Sequence, residues 1–106
     1  MMPTKTPEEL AEIVSFFEAP ELIFDELIET GPDEKLYLMH GKTGEKYAIW
    51  ARDNMSTLEF EARGLADEQK VKVKKWLPLK DAEDFEGDEQ FKHYANGDWY
   101  AVALVS

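Results

Sequence analysis

The 106-residue sequence contains no cysteine. This absence excludes a disulfide framework, a thiolate metal site and a cysteine nucleophile, and it fits a reducing compartment. The first twelve residues lack the basic stretch and apolar run of a signal peptide. No segment approaches 18 consecutive apolar residues, so we expect no membrane-spanning helix. These absences together predict a cytoplasmic protein.

Positive charge is also scarce, because 12 basic residues stand against 23 acidic ones and the net charge is −11. A strongly negative protein repels the phosphates of nucleic acids and of anionic membranes, so we expect neither as a direct partner. The charge is unevenly spread: residues 1–34 carry −9, residues 35–80 carry +4 and residues 81–106 carry −6. A mildly basic middle is therefore flanked by two acidic segments.

Motifs for catalysis or cofactor binding are missing too. His40 and His93 are the only histidines, and neither has a second histidine at the helical spacing of a zinc site. The sequence Gly41-Lys42-Thr43 lacks the upstream glycine of a phosphate-binding loop, because position 36 is Leu36. We therefore predict no catalytic residue, no cofactor and no metal ligand.

The acidic run at residues 81–89 invites comparison with a calcium-binding loop. An EF-hand loop requires glycine at its sixth position and glutamate at its twelfth. Counting from Asp81, these positions hold Glu86 and Lys92. A solvated acidic loop or short helical turn is the favoured interpretation, and a weak, irregular cation site is the alternative.

The clearest local structure is an N-terminal helix. Thr6 has the character of an N-cap, Pro7 suits the first helical position, and Glu9 completes a capping box. Apolar residues then recur with helical spacing at Leu10, Ile13, Val14 and Phe17. Residues 21–29 also suit a short helix with an apolar face, although a strand is the competing interpretation.

Beyond residue 35 the apolar pattern changes to the alternation of strands. Strands are predicted at residues 36–39, 47–51, 58–63, 71–79 and 98–105, with a helix through residue 75 as the alternative for residues 66–76. Asn96-Gly97 predicts a type I′ turn within a final hairpin. Both faces of the last strand are apolar, which indicates a central position in the sheet.

This order of elements predicts an α+β fold, with one or two N-terminal helices packed on one face of an antiparallel sheet of about five strands. No linker or repeat interrupts the chain, so residues 1–106 are expected to form a single domain. Trp50 and Trp99 are predicted to lie in the core. Trp76 is predicted to share a strand face with Lys72 and Lys74, which makes it a candidate for an exposed interface residue.

The charge distribution predicts a small non-enzymatic binding or inhibitor protein that engages a basic surface of another protein. It would imitate the phosphates of a nucleic acid and block a nucleic-acid-handling protein, as inhibitors from phages or toxin operons do. The residues expected to bind the partner are Glu18, Glu21, Asp25, Glu26, Glu29, Asp81, Glu83, Asp84, Glu86, Asp88, Glu89 and Trp76. The alternatives are an oligomeric subunit and a small enzyme, and the enzyme predicts a pocket that holds a titratable group with a shifted pKa.

Overall fold

A computed structural model describes residues 4–54 and 61–106 of the chain. Within these ranges, two helices and six strands form an α+β fold with an antiparallel sheet, which confirms the predicted fold class. The helices and strands are α1 (Pro7–Val14), β1 (Ile23–Gly31), β2 (Glu34–His40), β3 (Lys46–Asp53), α2 (Ala62–Glu68), β4 (Val73–Trp76), β5 (His93–Ala95) and β6 (Asp98–Val105).

Helix α1 forms as its sequence predicts. The Thr6 side chain accepts a hydrogen bond from the Glu9 backbone N–H, and the Glu9 carboxylate accepts one from the Thr6 N–H, so both halves of the capping box are present. The predicted apolar stripe is buried, and it packs on one face of the sheet against a core that includes Tyr37, Ile49 and Val102.

The sheet runs in the order β1-β2-β3-β6-β4, and β5 pairs with the first half of β6. The central position predicted for the last strand is therefore confirmed. Asn96 and Gly97 have φ angles of 54° and 87° and link β5 to β6, as a type I′ turn requires. The opposite edges of the sheet are β1 on one side and β4 with β5 on the other.

The helix predicted at residues 21–29 is wrong, because this segment forms strand β1. A β-bulge lies between Phe24 and Glu26. It leaves Phe24 and Leu27, which are three residues apart, packed against the same core on the α1 side. A bulge adds one residue to the strand period of two, so the bulged strand reproduces the spacing of a helix.

A second core lies on the other face of the sheet, under α2. Residues 55–60 lie outside the described part of the chain, and with them most of the strand predicted at 58–63. The last two residues of that predicted strand, Ala62 and Arg63, lie instead in α2, so this part of the prediction is wrong. Ala62, Leu65 and Ala66 are buried in the second core, and their spacing is that of a helix face.

Strand β4 is shorter than predicted, and α2 ends before it, so the alternative of a helix through residue 75 is also wrong. A bulge between Val73 and Lys75 changes which side chains share a face. The placement of Trp76 beside lysines is therefore wrong: its ring packs on the buried ring of Trp50, with centroids 5.2 Å apart. Trp99 is half-buried rather than fully enclosed.

No helix among the described residues has the length and hydropathy needed to cross a bilayer.

Candidate functional site

The acidic segment, residues 81–89, is confirmed as a loop with short helical turns. It contains a 3₁₀ turn at Ala82–Asp84 and leads into a second at Gly87–Phe91. Its six carboxylates are all exposed: Asp81, Glu83, Asp84, Glu86, Asp88 and Glu89. Across residues 4–54 and 61–106, none of the six forms an ion pair with a basic side chain. Their charge is therefore not neutralised by described neighbours.

An aromatic pocket of about 330 Å³ lies beside the acidic segment, along the edge of β5. Four aromatic rings and one carboxylate contribute to its lining, together with Leu79 and Lys92. The full set is Leu79, Phe85, Glu89, Lys92, His93, Tyr94 and Trp99, referred to here as the aromatic pocket. Phe85 and Tyr94 are 38% and 49% exposed, and both line this one pocket; exposed apolar side chains that are grouped together mark interaction sites.

Contacts around the Trp99 ring hold the rings of the pocket in place. Trp99 donates a hydrogen bond from Nε1 to Oδ1 of Asn54 at 2.5 Å. The Tyr94 ring lies 5.1 Å from the Trp99 ring, inclined by 54°. The Lys92 ammonium lies 5.9 Å from the centre of the Trp99 ring, within the range of a cation–π contact.

His93 joins this pocket to the core. Its ring stacks on Phe16 with centroids 4.1 Å apart, and it meets the edge of Phe17 at 6.4 Å. Burial lowers the pKa of His93 below its ordinary value of 6.5, and the charge of Asp81 opposes part of this shift. The histidine is therefore neutral at pH 7 and presents an uncharged ring to the pocket.

The lowered pKa of His93 predicts a loss of stability in mild acid. The unfolded chain takes up this proton near pH 6.5, whereas the folded chain takes it up only at lower pH. Protonation between these two values favours the unfolded state, so the free energy of unfolding is expected to fall there as the pH drops. Urea unfolding at pH 7.5 and 5.5 measures the fall. It is expected to be smaller in His93→Phe, and an equal fall in both proteins would contradict the assignment.

The acidic residues on and beside β1 differ from those of the acidic segment, because most of them have a basic neighbour. Glu21 pairs with Lys42 at 3.4 Å, and Asp25 with the Nδ1 atom of His40 at 2.7 Å.

Glu29 lies 3.8 Å from the Nζ atom of the buried Lys35. Glu26 is exposed on the same strand. The four predicted partner-binding acids at this edge are called the β1 acids (Glu21, Asp25, Glu26 and Glu29). Two of them, Glu21 and Glu29, thus have a lysine ammonium within 4 Å, and Asp25 has a hydrogen-bonding histidine.

Glu18 belongs with the acidic segment by position. Its backbone N–H donates to the carbonyl of Pro78 at 2.7 Å, and the N–H of Lys80 donates to the carbonyl of Phe16. These bonds fasten the end of α1 to the strand-like stretch that leads into residue 81. The structure therefore brings Glu18 to the edge that carries the acidic segment.

The β1 acids and the acidic segment do not form one continuous face. β1 and β4 are separated by β2, β3 and β6, which at about 4.8 Å per strand places the two edges roughly 19 Å apart. A groove of about 640 Å³ lies between β1 and the segment after α2. Asp25 and Glu26 line it together with Lys46, Lys70 and Lys72, so a basic partner meets both signs of charge there.

Trp76 lines a separate cavity of about 220 Å³ with Asp88, Phe91 and Lys92. The structure therefore brings Trp76 to the same edge as the acidic segment, although as a half-buried ring rather than a projecting one.

Sequence reasoning missed the exposed aromatic residues of this site. Phe16, Phe85 and Tyr94 are three of the five exposed large apolar side chains in the described part of the chain. Phe85 stands alone among carboxylates in the sequence, which was an available signal. Phe16 and Tyr94 carried none, because an aromatic residue in a helix or a hairpin is usually buried.

The side chains that line the aromatic pocket define the chemistry that it can offer. Its lining has one histidine, one lysine and one carboxylate, and it has no serine or threonine to act as a nucleophile. Among the residues that the structure describes, no group of three or more histidine or acidic side chains is placed to hold a metal ion. The pocket with a shifted histidine pKa matches what the small-enzyme alternative requires, and that alternative stays a prediction.

The chain matches no protein-family model, no curated protein and no solved structure at a significant level.

Proposed function

We propose that this protein is a small binding protein that engages a basic surface of another protein through the acidic segment and the aromatic pocket. The observation that carries the proposal is their juxtaposition: exposed Phe85 and Tyr94 lie beside six exposed carboxylates that have no ion-pair partner among the described residues. The partner class is a protein whose basic surface ordinarily holds nucleic acid, so that occupying that surface inhibits it.

The two parts of this surface contribute in different ways. Carboxylates steer a basic partner toward the surface and make association depend on salt. Affinity in protein interfaces is concentrated in a few anchors, and tyrosine and tryptophan are enriched among them. An acidic rim around exposed aromatic rings therefore combines fast association with a site for tight contact.

The acidic segment is favoured over β1 for the primary contact because of local pairing. Glu21 and Glu29 each have a lysine ammonium within 4 Å, and Asp25 hydrogen-bonds to His40. A partner would have to compete with these neighbours. The free edge of β1 also disfavours a second copy of this chain, because edge-to-edge pairing would bring like charges together. The β1 acids are then a source of long-range attraction rather than of contact.

The proposal is tested with two charge-reversal variants that have the same net charge, −5 instead of −11, but carry the reversed charges on different faces. Glu83, Asp84 and Glu86 are replaced by lysine in one variant, and Glu26, Asp67 and Glu68 in a control; all six side chains are exposed. Each protein is immobilised, exposed to a cell lysate and washed at rising salt, and the retained proteins are identified by mass spectrometry. Affinity for the identified protein is then measured.

A basic protein is expected on the wild type and on the control, released by salt, and lost from the acidic-segment variant. At about 0.5–1 kcal/mol for each exposed charge pair, three reversals weaken binding by roughly ten- to hundredfold. If the wild type and both variants retain the same protein, or if both variants weaken its binding equally, the acidic segment is not the contact.

A further inference from the structure

We infer that the aromatic pocket is a receptor for the guanidinium group of an arginine side chain on the partner. The inference rests on the proposed function and adds to it the chemical group that the partner inserts. The pocket, at about 330 Å³, is at the small end of the range for ligand sites. It suits one side chain rather than a larger molecule.

The side chains that line the pocket are suited to bind a desolvated cation. Four rings line it, from Phe85, His93, Tyr94 and Trp99, and the faces of aromatic rings attract cations. Lys92 already places its ammonium 5.9 Å from the centre of the Trp99 ring. The structure thus contains one cation–π contact of the kind that an incoming arginine would make.

Glu89 supplies the counter-charge at this site. It lines the pocket and has no ion-pair partner among the described residues. A carboxylate forms two parallel hydrogen bonds with a guanidinium group, a geometry that an ammonium group cannot match. The guanidinium is also planar and more weakly hydrated than an ammonium, so it stacks on rings at a lower desolvation cost.

Two charged or titratable neighbours act on a cation in this pocket in different ways. His93 is neutral at pH 7 because burial lowers its pKa, so it offers a ring without repulsion. Lys92 carries a positive charge and lies over the Trp99 ring. Replacing Lys92 with methionine is therefore expected to tighten arginine binding, whereas removing the charge of Glu89 is expected to weaken it.

The test titrates the full chain with three blocked tripeptides, acetyl-Gly-X-Gly-amide, in which X is arginine, lysine or citrulline. Citrulline keeps the planar shape of arginine and removes its charge. Binding is followed by NMR through the indole N–H resonance of Trp99, and the fully buried Trp50 serves as an internal reference. Variants are Glu89→Gln, Lys92→Met and, as a matched control outside the proposed binding surface, Glu68→Gln on α2, where the side chain is exposed.

The arginine peptide is expected to shift the Trp99 resonance with a Kd of about 1 mM, an affinity that one anchored side chain can supply. Glu89→Gln is expected to weaken binding fivefold or more, Lys92→Met to tighten it about threefold, and Glu68→Gln to stay within twofold of the wild type. Equal binding of citrulline would overturn the role of charge, and equal binding of lysine would overturn the assignment to guanidinium. An unmoved Trp99 resonance would overturn the site.

Failure here is distinguishable from failure of the proposed function. A protein partner that is lost on reversing Glu83, Asp84 and Glu86 but unaffected by Glu89→Gln, with no arginine peptide bound, removes only the guanidinium site. An arginine peptide that binds in the aromatic pocket, while the captured partner is indifferent to the acidic segment, removes only the proposed protein contact.

Discussion

Replacing Lys5 with methionine is expected to lower the free energy of unfolding by about 3–5 kcal/mol, a large share of the stability of a small domain. The Lys5 ammonium lies 3.2 Å from Oδ2 of Asp98, and the two side chains are only 8% and 10% exposed. Tyr100 donates a hydrogen bond to the same carboxylate oxygen at 3.2 Å. Methionine keeps most of the aliphatic stem but leaves the carboxylate buried without its counter-charge.

The Lys5 contact also fastens the chain before α1 to the sheet. The Lys5 backbone N–H donates to the hydroxyl of Tyr37 at 3.1 Å, and the ammonium lies 5.9 Å from the centre of the Tyr100 ring. Burial, followed by the charge of Asp98, raises the pKa of Tyr100 above its ordinary value. The hydroxyl therefore stays protonated and remains a donor to Asp98 at all physiological pH values.

Urea unfolding followed by circular dichroism measures the effect of Lys5→Met, and Lys42→Met is its matched control. Lys42 also pairs with a carboxylate, that of Glu21, but these side chains are 77% and 76% exposed, so the control is expected to cost less than about 0.5 kcal/mol. The double variant Lys5→Met, Asp98→Asn is expected to recover part of the loss, because it leaves no buried charge. A cost below 1 kcal/mol for Lys5→Met would mean that Asp98 reaches water when the lysine is removed.

The elements of the fold that sequence predicted well are those whose determinants are local. The capping box of Thr6 and Glu9 and the turn at Asn96-Gly97 each depend on residues a few positions apart. The double-sided apolar pattern of β6 also identifies its central position without knowledge of its neighbours. These features satisfy local propensity and the global fold at once, as is usual for natural sequences.

The errors arose where pairing with distant residues changes the local period. The bulge at Phe24 and Glu26 gives β1 the spacing of a helix, and the bulge at Val73 and Lys75 turns Trp76 away from the lysines. A bulge is defined by two strands together, so one strand's sequence does not reveal it. Tertiary pairing overrode the helical preference of residues 21–29.

The candidate site was predictable in its charge and not in its shape. The six carboxylates of the acidic segment were identified from composition, and all are exposed. The aromatic pocket brings Leu79, Phe85 and Tyr94 together from separate parts of the chain. The contacts of Asp25 with His40 of β2 and of Glu21 with Lys42 of the following turn were equally hidden. From the sequence the two acidic regions look equivalent. In the structure, Glu21 and Glu29 have lysine neighbours, whereas the acidic segment has no ion-pair partner among the described residues and lies beside aromatic rings.

Replacing Phe17 with alanine is expected to cost about 3–5 kcal/mol of unfolding free energy, the range for deleting a buried aromatic ring. Phe17 is fully buried, forms a β-bridge with Leu79, and packs in the core beneath α1. The Phe17 ring is oriented edge-to-face with the His93 ring, and the Phe17 backbone bridges to Leu79; both of these partners line the aromatic pocket. Its loss leaves a cavity at the junction of the core and the site.

Phe16 provides a matched comparison, because it is the same residue one position earlier and is 39% exposed. Phe16→Ala is expected to cost less than about 1.5 kcal/mol, since much of its ring is already in water. Phe16→Ala also exposes the His93 ring, on which the Phe16 ring stacks. Desolvation is the main cause of the lowered pKa of His93, so the variant is expected to raise that pKa toward 6.5.

Urea unfolding gives the two stability losses, and an NMR titration of the His93 ring protons gives the pKa in the wild type and in Phe16→Ala. Similar losses for both variants would mean that Phe16 also belongs to the core. A pKa of His93 that does not move in Phe16→Ala would show that the sheet, and not the stacked ring, keeps water from the histidine. With the expected pattern, Phe17 stabilises the fold while Phe16 sets the polarity of the pocket wall, so the two functions of this short segment are separable by single substitutions.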